Sequence, residues 1–259
     1  MYSIEVRNQA GQVLAKAEGQ GDARLIYEGV YQEGDVIAFT AEDVHARVCV
    51  DQSTQPAPVY LPGKSFVFSI PFGDKKNGYA PQAFSGELHG MTIGPVEEAE
   101  RGLRRNIALN PMDQHEPSGC FPHASANVET RGEAQFFARN AIDGHRFNDK
   151  HGGWPYHSWG IGERRDAWLR IDFGRPVKID AAALVLRGDW PHDAWWQEGT
   201  LEASDGLVKP LSLVKTHEAQ WFTLGERVVE WVCLRGLIKA DDPSPFPALT
   251  QLEVYGKDV

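Results

Sequence analysis

Two short stretches concentrate the side chains able to do chemistry. In the first, His151-Gly-Gly-Trp154-Pro-Tyr156-His157-Ser158-Trp159, five aromatic rings, counting imidazoles, fall within nine positions. The second is Arg187-Gly-Asp189-Trp190-Pro-His192-Asp193-Ala-Trp195-Trp196. Six of the eight tryptophans lie between Trp154 and Trp196. Both stretches are punctuated by Gly and Pro and read as loops, where binding and catalytic residues collect. Flat apolar rings beside Asp, Arg and His suit a sugar: rings stack on C–H faces while polar groups bond hydroxyls. Trp154, Tyr156, Trp190, Trp195 and Trp196 are the expected stacking surface. His151, His157, Arg187, Asp189, His192 and Asp193 are the expected polar contacts. Arg187 is suited to bidentate bonding of a hydroxyl pair or a uronate carboxylate. No metal is expected here, since no His-x-His or His-x-x-x-His spacing occurs.

Loops need a rigid scaffold, and the rest of the chain reads as strands. Alternating runs such as Asp35–Thr40, Ala46–Val50, Ser65–Ile70, Ala167–Phe173, Ala183–Arg187 and Leu249–Tyr255 end near Gly, Pro or Asp. Short alternating runs with that punctuation are strands, and many at regular spacing imply an all-β protein of β-sandwiches. In Trp168–Phe173, Leu169, Ile171 and Phe173 share one face, with Arg170 and Asp172 on the other. Trp168, Trp221 and Trp231 sit in such runs and are read as packing residues. A charged segment breaks the rhythm, so 1–95 is read as an N-terminal β-sandwich unit, 96–103 as a connector with one helical turn, and 104–259 as a second unit. Gly132–Asn140 is a second short helical candidate. A net charge of −10 without a basic block argues against nucleic acid. No run is long and apolar enough to span a bilayer, so no membrane partner is expected. The first residues show no secretory signal, and three scattered cysteines form no disulfide framework. A cytoplasmic location is the expectation.

The second unit resembles the discoidin family, the coagulation factor 5/8 type C or galactose-binding-like domains, which include many carbohydrate-binding modules. Five pieces stand in the family's order: Asn140-Ala-Ile-Asp143-Gly144, Ser158-Trp159, Ala167-Trp168-Leu-Arg-Ile-Asp172-Phe-Gly174, Leu201-Glu-Ala-Ser204-Asp205-Gly206 and Ala248-Leu-Thr-Gln251-Leu-Glu253-Val-Tyr255-Gly256. The resemblance implies a jelly-roll-like sandwich over residues 104–259, with a scaffold role for Trp159. Carbohydrate-binding members often hold a structural calcium near the Asp-Gly loop, with a carboxylate from the closing strand. Gln251 stands at that position, and a neutral amide is a weaker ligand for a hard cation. The His145–His157 stretch also lengthens the loop after Asp143. No cofactor is therefore expected, with a structural calcium left as the alternative that the resemblance implies and Gln251 argues against.

The leading reading is recognition of an oligosaccharide by the loop site. A glycan-processing enzyme, hydrolase or lyase, is the alternative. Asp189 and Asp193 would then be a carboxylate pair, or His157 or Tyr156 a base with Arg187 neutralising a uronate and His192 assisting. A third reading is a protein-interaction module, since Trp and Arg are frequent hot-spot residues. Exposed edge strands of such a sandwich could also pair two copies into a homodimer.

Overall fold

A computed structural model describes residues 1–188 and 194–259. The chain is built of antiparallel strands. β1 (Tyr2–Arg7), β2 (Val13–Gly19), β3 (Ala23–Glu28), β4 (Val36–Thr40), β5 (His45–Cys49), β6 (Ala57–Tyr60), β7 (Ser65–Ser69) and β8 (Leu88–Pro95) come first. They form two four-stranded sheets, ordered β2-β1-β4-β7 and β3-β8-β5-β6. Alternation decides which side chains meet between them. Ile4 and Val6 of β1, Ile37 and Phe39 of β4, and Phe66 and Phe68 of β7 share one buried cluster with Val48, Val59, Met91 and Ile93 of the other sheet. A single helical turn, α1 (Glu98–Arg101), follows β8, where the charged segment implied one.

The remaining strands are β9 (Arg105–Asn106), β10 (His123–Ala126), β11 (Trp159–Gly160), β12 (Leu169–Leu186), β13 (Trp196–Ala203), β14 (Val208–Ser212), β15 (Gln220–Lys239) and β16 (Ala248–Asp258). The two runs Ala167–Phe173 and Ala183–Arg187, separate in the sequence reading, belong to the single 18-residue β12. Its first part, from Leu169 to Asp172, lies between β10 and β15. Beyond a register shift, the part from Val177 lies between β16 and β15. Strands that change neighbours at a bulge form the corners of a sandwich. Gly174 sits at this corner with φ +66°, and a Cβ there would lie 2.5 Å from the Phe121 ring. Leu169, Ile171, Phe173, Leu184, Leu201, Leu234 and Leu252 fill the second cluster. The 132–140 helical candidate is a set of 3-10 turns, because Phe137 takes an extended φ/ψ and interrupts them.

The two clusters are joined by backbone and by charge. The Tyr60 and Phe121 backbones exchange two hydrogen bonds of 2.9 Å. Arg175 lies over the Tyr60 ring and pairs with Asp258, which also receives Arg105. Burial alone would raise the Asp258 carboxyl, but the two guanidinium groups hold it below its ordinary range. Met112 and Cys120, beyond the connector, pack into the first cluster.

Candidate functional site

The two ring-rich stretches meet. Arg187, fully buried at the end of β12, donates from Nη1 to the Tyr156 carbonyl at 2.6 Å. The Trp159 and Trp196 rings lie 6.3 Å apart in the second cluster. Asp189, Trp190, His192 and Asp193 lie outside the described residues. Of the rest, His151 is exposed and Tyr156 and Trp195 are half-buried.

Several expected contacts are corrected by burial. Trp196 is 1 % exposed and is a core residue, so its ring has no face for a ligand. Trp196 opens β13 inside the second cluster, and Trp195, just before the strand, is half-buried against the same cluster. Trp154 turns to the first cluster: its backbone N–H donates to the Asn77 carbonyl at 2.7 Å and its ring packs against that cluster. Arg187 and His157 are buried, and each bonds a group inside the protein.

His157 belongs to a network around Asp143, at the end of the 3-10 turn Ala138–Ile142. Its Nε2 bonds Asp143 Oδ2. Asp143 Oδ1 accepts from the His145 backbone N–H (3.0 Å) and from Gln251 Nε2 (2.9 Å). Burial pushes the Asp143 carboxyl up; the His157 charge and hydrogen bond, with His145 and Arg139, outweigh it and hold the carboxyl low. Burial lowers the His145 imidazole against the pull of Asp143. His145 accepts the Trp154 indole N–H at 3.3 Å. The Asp143–His157 pair has the composition of an acid–base dyad, yet a cavity of only about 20 Å³ reaches this region, lined by Ser53, Tyr79, Arg139, Asp143, His145 and Trp154. That is room for about one water beside the pair. His123 forms a second closed pair: its Nδ1 lies 2.8 Å from Asp113 Oδ1.

A further candidate, which sequence reasoning missed, is on the outer sheet face. Trp221, read as a packing residue, is 54 % exposed. It stands beside Ala183 in the register, which itself stands beside Glu253; one step along the same face, Thr223 stands beside Ala181 and Tyr255. The small alanines let the Trp221 ring lean onto Tyr255, centroids 4.6 Å apart. Two ion pairs border the rings. Arg104 grips Asp180 through Nε and Nη2, both at 2.7 Å, and lies over the Tyr255 ring. Arg146 grips Glu253 through Nε and Nη2, and Tyr255 Oη donates to Glu253 at 2.8 Å. Burial and that bond raise the phenol above its ordinary value. Neither guanidinium uses Nη1 in its pairing. Phe147, one residue past Arg146, is 51 % exposed. The alternation at Gln220–Leu224 was the available signal, since it puts Trp221 and Phe222 on opposite faces.

The molecule is thus an all-β protein of stacked sheets with a half-exposed aromatic face at Trp221 and Tyr255. No protein-family model matches the chain, and no curated protein is significantly similar to it. Among solved structures it is similar to chitosan-binding module 1 from a chitosanase/glucanase of Paenibacillus sp. IK-5, at 17 % identity over 59 % of this chain and 99 % of that one, TM-score 0.41. It is similar to a fucose binding module of Streptococcus pneumoniae at 14 % identity over 60 % of this chain and 96 % of that one, TM-score 0.42. A family 32 CBM of C. perfringens in complex with galactose matches at 20 % identity over 51 % and 91 % of the two chains, TM-score 0.37.

Proposed function

We propose that this chain recognises a carbohydrate, an oligosaccharide, on the outer sheet face of its second unit. The observation that carries the reading is Trp221. Its ring is half exposed, braced by Tyr255, and bordered by the Arg104–Asp180 and Arg146–Glu253 pairs. A single exposed hydrophobic side chain needs no explanation. A braced aromatic pair among fixed donors and acceptors is different, because it matches both parts of a sugar. The rings cover C–H faces, while carboxylate lone pairs and guanidinium N–H groups bond hydroxyls with charge-assisted strength. Small-molecule sites combine apolar walls with a few placed polar groups in this way.

A second reading keeps the ligand at the sandwich end, where Arg187 ties the two ring-rich stretches together. There Tyr156, Trp190 and Trp195 would be the stacking rings. A glycan array with product analysis separates these readings. The expected result is binding without turnover by the wild type, and loss of binding in Trp221→Ala with the fold intact. Loss in Trp190→Ala alone would move the site to the sandwich end. Turnover would establish the enzyme reading, and no glycan interaction would overturn the proposal.

A further inference from the structure

Three oxygens converge on one buried point beside Asp143, and a nitrogen occupies it. The carbonyls of Asn140 and Thr250 and Oδ1 of Asp143 lie 2.8, 2.6 and 2.9 Å from Nε2 of Gln251. Asn140, Asp143, Thr250 and Gln251 are all at least 98 % buried. An amide –NH₂ carries two hydrogens, so it stands among more acceptors than it can serve at once. Two carbonyls and a carboxylate aimed at one dry point are the ligand set of a hard cation, which takes such oxygens at roughly 2.3–2.6 Å. The 2.8 and 2.9 Å spacings to Asn140 and Asp143 are those of N–H···O bonds and longer than cation–oxygen distances.

The calcium implied by the resemblance does not fit this arrangement. The other Asp143 oxygen is engaged by His157, and Gln251 Oε1 accepts the Gly144 N–H at 2.9 Å. Among the described residues, no three His, Cys, Asp or Glu side chains are grouped to hold a metal. The backbone is shaped to deliver the amide. On β16, Gln251 stands beside Val185 and Leu249 beside Leu186, so Thr250 is an extra residue. Such a bulge re-aims side chains.

We propose that the Gln251 amide nitrogen, together with the His157 ring, takes the place of a divalent cation at the Asp143 loop, so that this sandwich orders the loop without metal. Gln251→Glu tests this, since it removes both N–H donors and sets a second carboxylate against Asp143. Wild type is expected to melt at one temperature in chelator and in millimolar calcium, and to show no terbium luminescence. The variant is expected to melt lower in chelator, to recover as calcium is added, and to bind terbium. If it does not fold in chelator, its soluble refolding yield with and without calcium is the readout. A wild-type melting temperature that follows calcium would overturn the proposal. So would a variant whose stability or yield ignores calcium.

Discussion

Replacing Trp221 by alanine is the sharpest perturbation of the proposed sugar face, because the ring lies outside both buried clusters. A tryptophan buries about 250 Å² when fully covered. At 54 % exposure, roughly 130 Å² of this one faces water. A pyranose resting on it would cover about half of that, some ~65 Å². At about 25 cal/mol per Å² the contact is worth ~1.6 kcal/mol, or about fifteenfold in affinity. Folding stability should fall by less, about 1 kcal/mol, since what is lost is chiefly the pairing with Tyr255. Calorimetric titration of an array-identified oligosaccharide should therefore show about fifteenfold weaker binding, with the melting temperature lowered by only about 2–4 °C. Trp221→Phe should recover part of the loss, since a smaller ring still stacks. An affinity within about twofold of wild type in Trp221→Ala would refute the reasoning.

His157→Ala should leave the Asp143 carboxylate buried without its imidazole partner and cost about 3 kcal/mol or more; urea unfolding measures this, and a loss below ~1 kcal/mol would show that the pair is not the brace described. Acid should weaken the fold in two stages. His145 has a depressed folded pKa, so the unfolded chain takes up its proton first, and stability falls as pH drops below about 6.5. Asp143 and Asp258 are also depressed, so their contribution is present above about pH 3.9 and lost as pH falls through their folded values. His123 works the other way. Burial lowers it but Asp113 outweighs burial and raises it, so its contribution is present below about pH 6.5 and lost as pH rises through the folded value. Melting curves of His145→Phe should fall less than wild type between about pH 6.5 and 5; parallel curves would contradict this. Residues 104–259 expressed alone should melt lower than the full chain or aggregate, because Met112, Cys120 and Trp154 lose the first cluster. Equal melting temperatures by calorimetry would show that the junction contributes nothing.

Much of the fold was legible because strand alternation is local. Ile37 and Phe39, Phe66 and Phe68, and Leu169, Ile171 and Phe173 announce their faces within five residues, and the structure buries all of them. The Asp143-Gly144 loop and the neutral Gln251 were also visible in the chain, since a side chain's chemistry is set by its type. A period of two marks that a strand has two faces but not which face another layer covers. In Gln220–Leu224, Trp221 and Thr223 alternate with Phe222 and Leu224, and both sets are apolar enough for a core. Only the placement of β15 beside β12 buried Leu224 and left Trp221 in water. The same ambiguity put Trp196 inside. His157 and Arg187 carry polar chemistry that reads equally well as a ligand contact or an internal brace. Their partners, Asp143 and Tyr156, are 14 and 31 residues away along the chain. The sequence by itself determined the strands, the loops and the chemical types available. Tertiary packing decided which rings and charges face solvent, because exposure depends on what folds over a face from elsewhere in the chain.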